Sequence, residues 1–114
     1  MMVIELPFPN SANTHWRHAR GITYVSKQGL EYRQQVKALT RGVKMPEGRL
    51  EMHVILHAPT RRAYDIDNRL KPLCDALQLA GVFADDGLID KITVERGEII
   101  KGGKCVVTLT LRNT

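Results

Sequence analysis

Hydrophobic and polar residues alternate most clearly between residues 50 and 57. The apolar side chains Leu50, Met52, Val54 and Leu56 are each separated by one residue, which is the period of a strand with one buried face. Pro59 ends this pattern. Apolar runs at residues 3–6, 92–100 and 105–111 predict three further strands. The sequence Lys-Gly-Gly-Lys between the last two predicts a tight antiparallel hairpin.

Two segments repeat instead every three to four residues, as amphipathic helices do. The first is predicted to begin at a Ser26 cap and to run to about Arg41, with apolar positions at Tyr32, Val36, Leu39 and Val43. The second is predicted to run to about Ala80, with apolar positions at Leu70, Leu73, Cys74 and Leu77. Pro72 cannot sit inside a regular helix, so this helix either begins near residues 68–71 or has a distorted first turn.

The order strand, helix, strand, helix, strand, strand predicts an α/β fold of the mixed α+β kind. A helix between two strands permits parallel pairing and the final hairpin is antiparallel, so we expect a mixed four-stranded sheet with two covering helices. Residues 10–24 are polar, basic and aperiodic, and are predicted to form a long loop. The chain has 114 residues, which fits a single domain over residues 1–114.

The charge of the chain points to a polyanionic partner. The net charge is +5 and the pI about 9.5, which suits nucleic acid or an acidic membrane surface. Charge alone fits a merely soluble basic protein equally well. Its distribution is more telling, because acidic residues cluster between Asp65 and Asp90, whereas the first half is crowded with Arg17, Arg20, Lys27, Arg33, Lys37, Arg41 and Lys44.

The remaining composition sets expectations about compartment. Cys74 and Cys105 stand among apolar residues with no metal-ligand spacing, which favours buried free thiols over a disulfide. The first nine residues lack the features of a signal peptide, and no apolar run is long enough to span a membrane. We therefore expect a cytoplasmic protein, in a bacterial host or a phage-infected cell, with no membrane partner.

Two acidic pairs flank the second predicted helix. In extended backbone Asp65 and Asp67 would point to the same side, and their mutual repulsion would be relieved by a divalent cation. Carboxylate oxygens favour Mg²⁺, with Mn²⁺ as a substitute, over zinc. The second pair, Asp85 and Asp86, follows the helix. For Asp86 to meet Asp67, the loop after the helix must fold back along it.

Basic residues around the first pair fit phosphate chemistry. Lys71 follows Asp67 by four residues and would project beside the carboxylates of a helical turn, where a cation can stabilise charge developing on a phosphate. Arg61 and Arg62 could hold flanking phosphates. The alternative interpretation is structural, because Asp-x-Asp-Asn is also typical of helix capping and Asp-Asp-Gly of a turn.

The pattern closely resembles the RusA-type Holliday-junction resolvases. The resemblance is carried by Asp65-Ile66-Asp67-Asn68, Lys71, Asp75-Ala76-Leu77, Gly81 and Asp85-Asp86, and more weakly by Leu6-Pro7-Phe8-Pro9-Asn10-Ser11, Asn13, Arg17-His18, Arg20-Gly21 and Val25-Ser26. It covers nearly the whole chain. It implies a homodimeric, magnesium-dependent endonuclease that resolves four-way DNA junctions by paired symmetric nicks, in which metal-activated water attacks the phosphodiester.

The resemblance also implies roles for individual residues. Asp65, Asp67 and Asp86 would bind the metal and Lys71 would assist catalysis, with Asn68 and Asp85 as neighbouring groups that support the ligands. The DNA-binding candidates, from the resemblance and from their charge, are Arg17, His18, Arg20, Lys27, Arg61, Arg62 and Arg69. Trp16 and Tyr24 could stack on unpaired bases or pack against their own domain.

Two other functions fit the same residues. A non-catalytic DNA-binding module of a phage or prophage would explain the positive charge and would leave Asp65, Asp67 and Asp86 as turn residues. A metal-dependent phosphoesterase acting on small phosphates would use the same carboxylates.

Overall fold

A four-stranded mixed sheet and a separate two-stranded ribbon make up the β-structure of this chain. The computed structural model describes residues 1–112. Its strands and α-helices are, in order, β1 (Met2–Leu6), α1 (Ala12–His15), β2 (Trp16–Ala19), β3 (Ile22–Val25), α2 (Lys27–Leu39), β4 (Leu50–His57), α3 (Leu70–Leu79), β5 (Ile89–Arg96) and β6 (Lys104–Leu111). Two 3-10 turns, Asp67–Arg69 and Asp86–Leu88, stand immediately before α3 and β5.

The strand order of the large sheet is β1-β6-β4-β5. Strands β4 and β5 are parallel and joined through α3, because parallel neighbours need a crossover rather than a tight turn. Strand β6 is antiparallel to both β4 and β1. The predicted mixed four-stranded sheet is thereby confirmed.

The hydrophobic core lies between one face of this sheet and helices α2 and α3. Leu50, Met52, Val54 and Leu56 of β4 are at most 1% exposed, as their alternation predicted, while the residues between them are half-buried. The two helices cover the buried face with Tyr32, Val36, Leu73 and Leu77. The opposite face of the sheet carries His53 and His57 and has no helix over it, so the described domain has two layers.

The predicted hairpin between the last two strands is wrong. Strands β5 and β6 flank β4 on opposite sides, and the connecting residues 97–103 cross the end of β4, where Gly97 N–H donates to the Leu56 carbonyl. A Cβ at Gly97 would collide with the His57 ring, so only glycine allows the crossing segment to lie this close. Two glycines marked the reversal correctly, but a turn signal does not say which strands pair.

The prediction of a long loop over residues 10–24 is also wrong. This segment forms the short helix α1 and the antiparallel ribbon β2–β3. Arg20 and Gly21 have φ of 51° and 75°, the left-handed conformations of a two-residue hairpin turn. The β-prone run Ile22-Thr23-Tyr24-Val25 was the available signal, but its side chains are mostly exposed, so no burial pattern revealed it.

The boundaries of the two long helices follow local chemistry. The Ser26 side chain accepts from the Gly29 N–H and starts α2 as predicted. For the second helix, both predicted alternatives are found: α3 begins within residues 68–71, at Leu70, and a 3-10 turn precedes it as a distorted first turn. Pro72 is the third residue of α3, where its missing N–H costs little. Among residues 1–112 no helix is both long enough and apolar enough to cross a lipid bilayer.

Ser26 joins α2 to the N-terminal segment and offers a test of the fold. Its hydroxyl accepts from Gly29 and donates to the Thr14 carbonyl at 2.6 Å, and the residue is 4% exposed. We expect Ser26→Ala to lower the free energy of unfolding by about 1–2 kcal/mol, measured by urea denaturation. Ser11→Ala, which removes the cap of the four-residue α1, is the control and should cost clearly less. Equal losses of unfolding free energy in the two variants would contradict the role of Ser26 in joining α2 to the N-terminal segment.

Candidate active site

The chain folds back along α3 and brings Asp86 beside Lys71. After α3 ends at Leu79, the segment 80–85 reverses direction, and the Asp86 N–H donates to Gln78 Oε1 at 2.9 Å. Lys71 Nζ then lies 3.3 Å from Asp86 Oδ2. The return path that the sequence required but did not establish is therefore present in the fold.

Asp67, Lys71 and Asp86 line one cavity of about 290 Å³. Cys74 lines it as well, and its remaining wall is formed by the apolar side chains of Leu70, Ile89 and Ile92. The 3-10 turn before α3 positions Asp67, the first turn of α3 positions Lys71, and the 3-10 turn before β5 positions Asp86. Three structural elements thus place two carboxylates and one ammonium around a half-apolar pocket.

Lys71 is held between two carboxylates. Its Nζ lies 3.2 Å from Oδ1 of Asp75, four residues further along the helix, and 3.3 Å from Asp86 Oδ2. Hydrogen bonds to Asp75 and then Asp86 raise the pKa of Lys71 above its ordinary value, so the side chain remains a cation at neutral pH. Its positive charge offsets the negative charge of the carboxylates that line the cavity.

Asp65 does not share this cavity. Ile66 has φ −63° and ψ −36° and Asp67 begins the 3-10 turn, so the predicted extended backbone, with both carboxylates on one side, is wrong. Side chains alternate with period two only in strands. Asp65 Oδ2 instead accepts from Asn68 Nδ2 at 3.2 Å and faces a neighbouring groove. Accordingly, no three His, Cys, Asp or Glu side chains of residues 1–112 converge into a ready-made metal centre.

Capping does not explain the first acidic pair. Neither the 3-10 turn over Asp67–Arg69 nor α3 has a side-chain capping bond. The two residues of the second acidic pair have different roles. Asp85 Oδ1 accepts a hydrogen bond from the Gly87 N–H at 2.9 Å and caps the 3-10 turn Asp86–Leu88. Asp86 is left facing the cavity, whereas Asp85 has the turn role that the Asp-Asp-Gly sequence also predicted.

Most of the predicted DNA-binding residues are exposed. The β2–β3 ribbon presents three of them, α2 begins with the fourth, and two follow β4: Arg17, His18, Arg20, Lys27, Arg61 and Arg62. Trp16 packs against His15, with ring centroids 4.5 Å apart, while Tyr24 is 50% exposed.

Arg69 is used inside the protein. Its Nη1 donates to the Pro9 carbonyl at 2.8 Å, and its guanidinium lies 5.0 Å from the Phe8 ring centroid. Burial lowers the pKa of Arg69, although it remains charged. The structure therefore gives Arg69 the role of fixing the N-terminal segment to the 3-10 turn that carries Asp67.

Arg96 is a site residue that the sequence did not reveal. Its guanidinium donates to the Tyr64 carbonyl at 3.0 Å and lies 4.4 Å from the Tyr64 ring centroid. It thereby holds the segment that leads into Asp65 against the end of β5. Arg96 belongs to an ordinary strand sequence far along the chain, so no local motif could have identified it.

Comparison with known proteins identifies the family of this chain. The family model described as "Endodeoxyribonuclease RusA" matches residues 7–110. The crossover junction endodeoxyribonuclease rusA of Enterobacteria phage HK97 is 39% identical over 92% of this chain and 90% of its own length. Its counterpart from Enterobacteria phage 82 is 36% identical over 94% of this chain and 92% of its own length. The crossover junction endodeoxyribonuclease RusA of Escherichia coli strain K12 is 36% identical over 94% of this chain and 92% of its own length.

The family model and the relatives show that the protein is an endonuclease, as the sequence predicted. The chain belongs to the RusA family of endodeoxyribonucleases, whose model spans nearly all of it.

The two cysteines provide a test of how closed the cavity is. Both are free, and burial raises the pKa of the Cys74 and Cys105 thiols to about 12. We expect neither thiol to react with dithiobis-nitrobenzoate at pH 8 in the folded protein, and both to react in guanidinium chloride. Unfolded thiols ionise near pH 8.5, so their contribution to folding is present below that pH and is lost as the pH rises towards 12.

The Cys74→Ala variant shows whether labelling by dithiobis-nitrobenzoate occurs at the thiol that lines the cavity. Rapid labelling of the folded wild type at pH 8, absent in this variant, would show that Cys74 is open to solvent.

Proposed function

We propose that this protein resolves four-way DNA junctions as a magnesium-dependent homodimer that introduces paired symmetric nicks. The observation that carries the proposal is the cavity shared by Asp67, Lys71 and Asp86. In a basic member of the RusA family, this pocket offers both a place for a hard cation and a fixed positive charge for phosphate. The names of the relatives supply the substrate, a crossover junction.

The donor set of the cavity fits Mg²⁺, or Mn²⁺ in its place. Asp67 and Asp86 offer carboxylate oxygens, which these hard ions prefer, and Mg²⁺ is commonly held by one or two carboxylates with water completing its shell. Asp65 is the third candidate ligand, although it lines the adjacent groove. When bound, the cation would neutralise charge on the phosphate and lower the pKa of a water molecule.

The other residues of the cavity would position the substrate. Lys71 shares its ammonium between Asp75 and Asp86, and a phosphate oxygen in the cavity could replace the Asp86 carboxylate as acceptor. Asp75 keeps the ammonium at the cavity in either case. The half-apolar wall formed by Leu70, Ile89 and Ile92 lowers the local dielectric and so strengthens these electrostatic contacts.

The exposed basic residues are proposed to hold the junction arms. Arg17, His18 and Arg20 stand on the β2–β3 ribbon, which is exposed over most of its length. A two-stranded ribbon of this kind can follow a nucleic-acid groove. Arg61 and Arg62 lie shortly before the acidic segment, Asp65–Asp67, and would contact phosphates close to the cut.

Replacing Asp67 separates cleavage from binding. We expect Asp67→Asn to lower the rate of cutting of synthetic four-way junctions in Mg²⁺ by at least about 100-fold, while junction affinity measured by gel shift at fixed salt stays within about threefold. Glu47→Gln, an exposed carboxylate in a turn, removes the same charge and should cut normally.

The same experiment distinguishes the competing functions. A wild-type protein that binds junctions but makes no nicks in any salt or divalent metal would be a DNA-binding module. One that hydrolyses bis-nitrophenyl phosphate but leaves junctions intact would be a small-molecule phosphoesterase.

A cytoplasmic location, where the junction DNA of a bacterium or an infecting phage lies, is part of the proposal.

The proposed homodimer has a suitable surface in the outer edge of β5. This strand pairs only with β4 within residues 1–112, and Ile92 on it is 42% exposed. If two copies pair antiparallel about Thr93, Lys91 of each lies opposite Glu95 of the other and Ile92 lies opposite Val94. Such a two-fold sheet extension closes the exposed edge. It also leaves both cavities on the same face of the joined sheet.

Charge reversal at this edge tests the dimer. We expect Lys91→Glu to weaken dimerisation by about tenfold, because two attractive pairs become repulsive, and Lys91→Glu/Glu95→Lys to restore it, as measured by sedimentation equilibrium. Lys101→Glu, in the segment that crosses β4, is the charge-matched control and should not change the dissociation constant. A double variant as weak as the single one would reject this interface.

A further inference from the structure

A polar groove of about 720 Å³ lies next to the cavity that holds Asp67 and Asp86. Its walls come from the segment that follows β1, from the first turn of α2 and from the segment between β4 and α3. Asp65 forms part of its lining, so the acidic segment borders the groove on one side and the carboxylate cavity on the other. Its volume falls within the range of pockets that bind small molecules and cofactors.

The groove is lined mainly by neutral hydrogen-bonding side chains. Four carboxamides contribute to it: Asn10, Asn13, Gln28 and Asn68. Each carboxamide carries both donors and an acceptor, the combination that recognises the edge of a nucleobase. Phe8 and Tyr64 supply an apolar wall, with ring centroids 5.5 Å apart at an interplanar angle of 89°, against which a base can pack.

Two buried polar atoms of groove residues have no hydrogen-bond partner among residues 1–112, Asn10 Oδ1 and Arg69 Nε. Asn10 Nδ2 lies 3.1 Å from His15 Nδ1, and burial lowers the pKa of His15, so the neutral ring can accept a hydrogen bond from the amide. Leaving a buried acceptor unpaired is costly. Asn10 Oδ1 would gain a partner if a ligand in the groove drew the side chain outward.

The chemistry of the groove does not match a binding site for the phosphate backbone. Apart from Arg62, which we propose to contact a flanking phosphate, the cation in its lining is Arg69, whose guanidinium is already engaged by the Pro9 carbonyl and the Phe8 ring. A backbone-binding groove relies instead on several free Lys and Arg side chains. Amides, hydroxyls and aromatic rings suit a base that has left its stack.

We propose that this groove binds one unpaired nucleobase adjacent to the scissile phosphate and thereby makes cutting depend on the flanking base. The inference rests on the proposed junction-cleaving function. Asp65 lines the groove and Asp67, two residues further on, lines the cavity, so a base in the groove would lie close to a phosphate in the cavity. A base at the exchange point of a junction is the substrate element most easily unstacked, because its stacking is already interrupted.

A fluorescence experiment tests the proposal without requiring cleavage. Four-way junctions carry 2-aminopurine at successive positions around the exchange point and are titrated with the Asp67→Asn variant. We expect binding to change the fluorescence at least about twofold at one position only and at its equivalent across the two-fold axis of the junction. Adding Asn13→Ala and Gln28→Ala should remove most of that change. Gln34→Ala, an exposed glutamine on the same helix α2 but outside the groove, is the matched control.

A cleavage experiment measures the consequence for specificity. On four junctions that differ only in the base beside the cut, Asn13→Ala/Gln28→Ala in an otherwise wild-type chain should reduce the ratio of the fastest to the slowest rate by about fivefold or more. Affinity for the junction should change less than twofold. Both replaced side chains are exposed, so thermal unfolding should match the wild type.

The outcomes separate this proposal from the function on which it rests. Unchanged base preference and unchanged 2-aminopurine signals in the groove variants, with normal cutting, would overturn the groove proposal and leave the nuclease intact. A wild type that cuts no junction would overturn the proposed function, while the fluorescence comparison would still show whether the groove takes up a base. Signals that change at every position would show general distortion of the junction and would also overturn the proposal.

Discussion

The contact between Lys71 and Asp86 is the interaction on which the candidate site depends. It joins the first turn of α3 to the turn that follows the same helix, so two segments that are distant in sequence face one cavity. Without the ammonium, Asp86 and Asp67 would bring two negative charges to a half-apolar pocket uncompensated. Asp75 anchors the same ammonium from the helix itself, which fixes its position in the absence of substrate.

The parallel pairing of β4 and β5 makes this contact possible. A parallel pair requires a crossover, and here α3 is the crossover, with an acidic turn before it and another after it. The buried residues of β4 and α3 form one core, so the helix cannot shift relative to the sheet without opening it. The geometry of the candidate site is therefore supported by the same packing that stabilises the domain.

The separation of Asp65 from Asp67 divides the functional surface in two. One helical residue, Ile66, turns the two carboxylates towards different openings. One opening combines charge with apolar walls and suits a phosphate with its cation, and the other offers amides and aromatic rings that suit a base. Arg69 and Arg96 hold the segment between the openings through the Pro9 and Tyr64 carbonyls, which couples the N-terminal residues and β5 to both.

The sequence by itself determined those features that depend on near neighbours along the chain. The period of β4, the Ser26 cap, the Lys71–Asp75 pair and the acidic residues on either side of α3 all follow from local spacing, and the combination also pointed to the family. The tertiary structure alone decided which strands pair around β4, how the chain returns Asp86 to Lys71 and which opening Asp65 faces. These depend on backbone conformation at single residues and on contacts between distant segments, whose energies come from packing that no local pattern encodes.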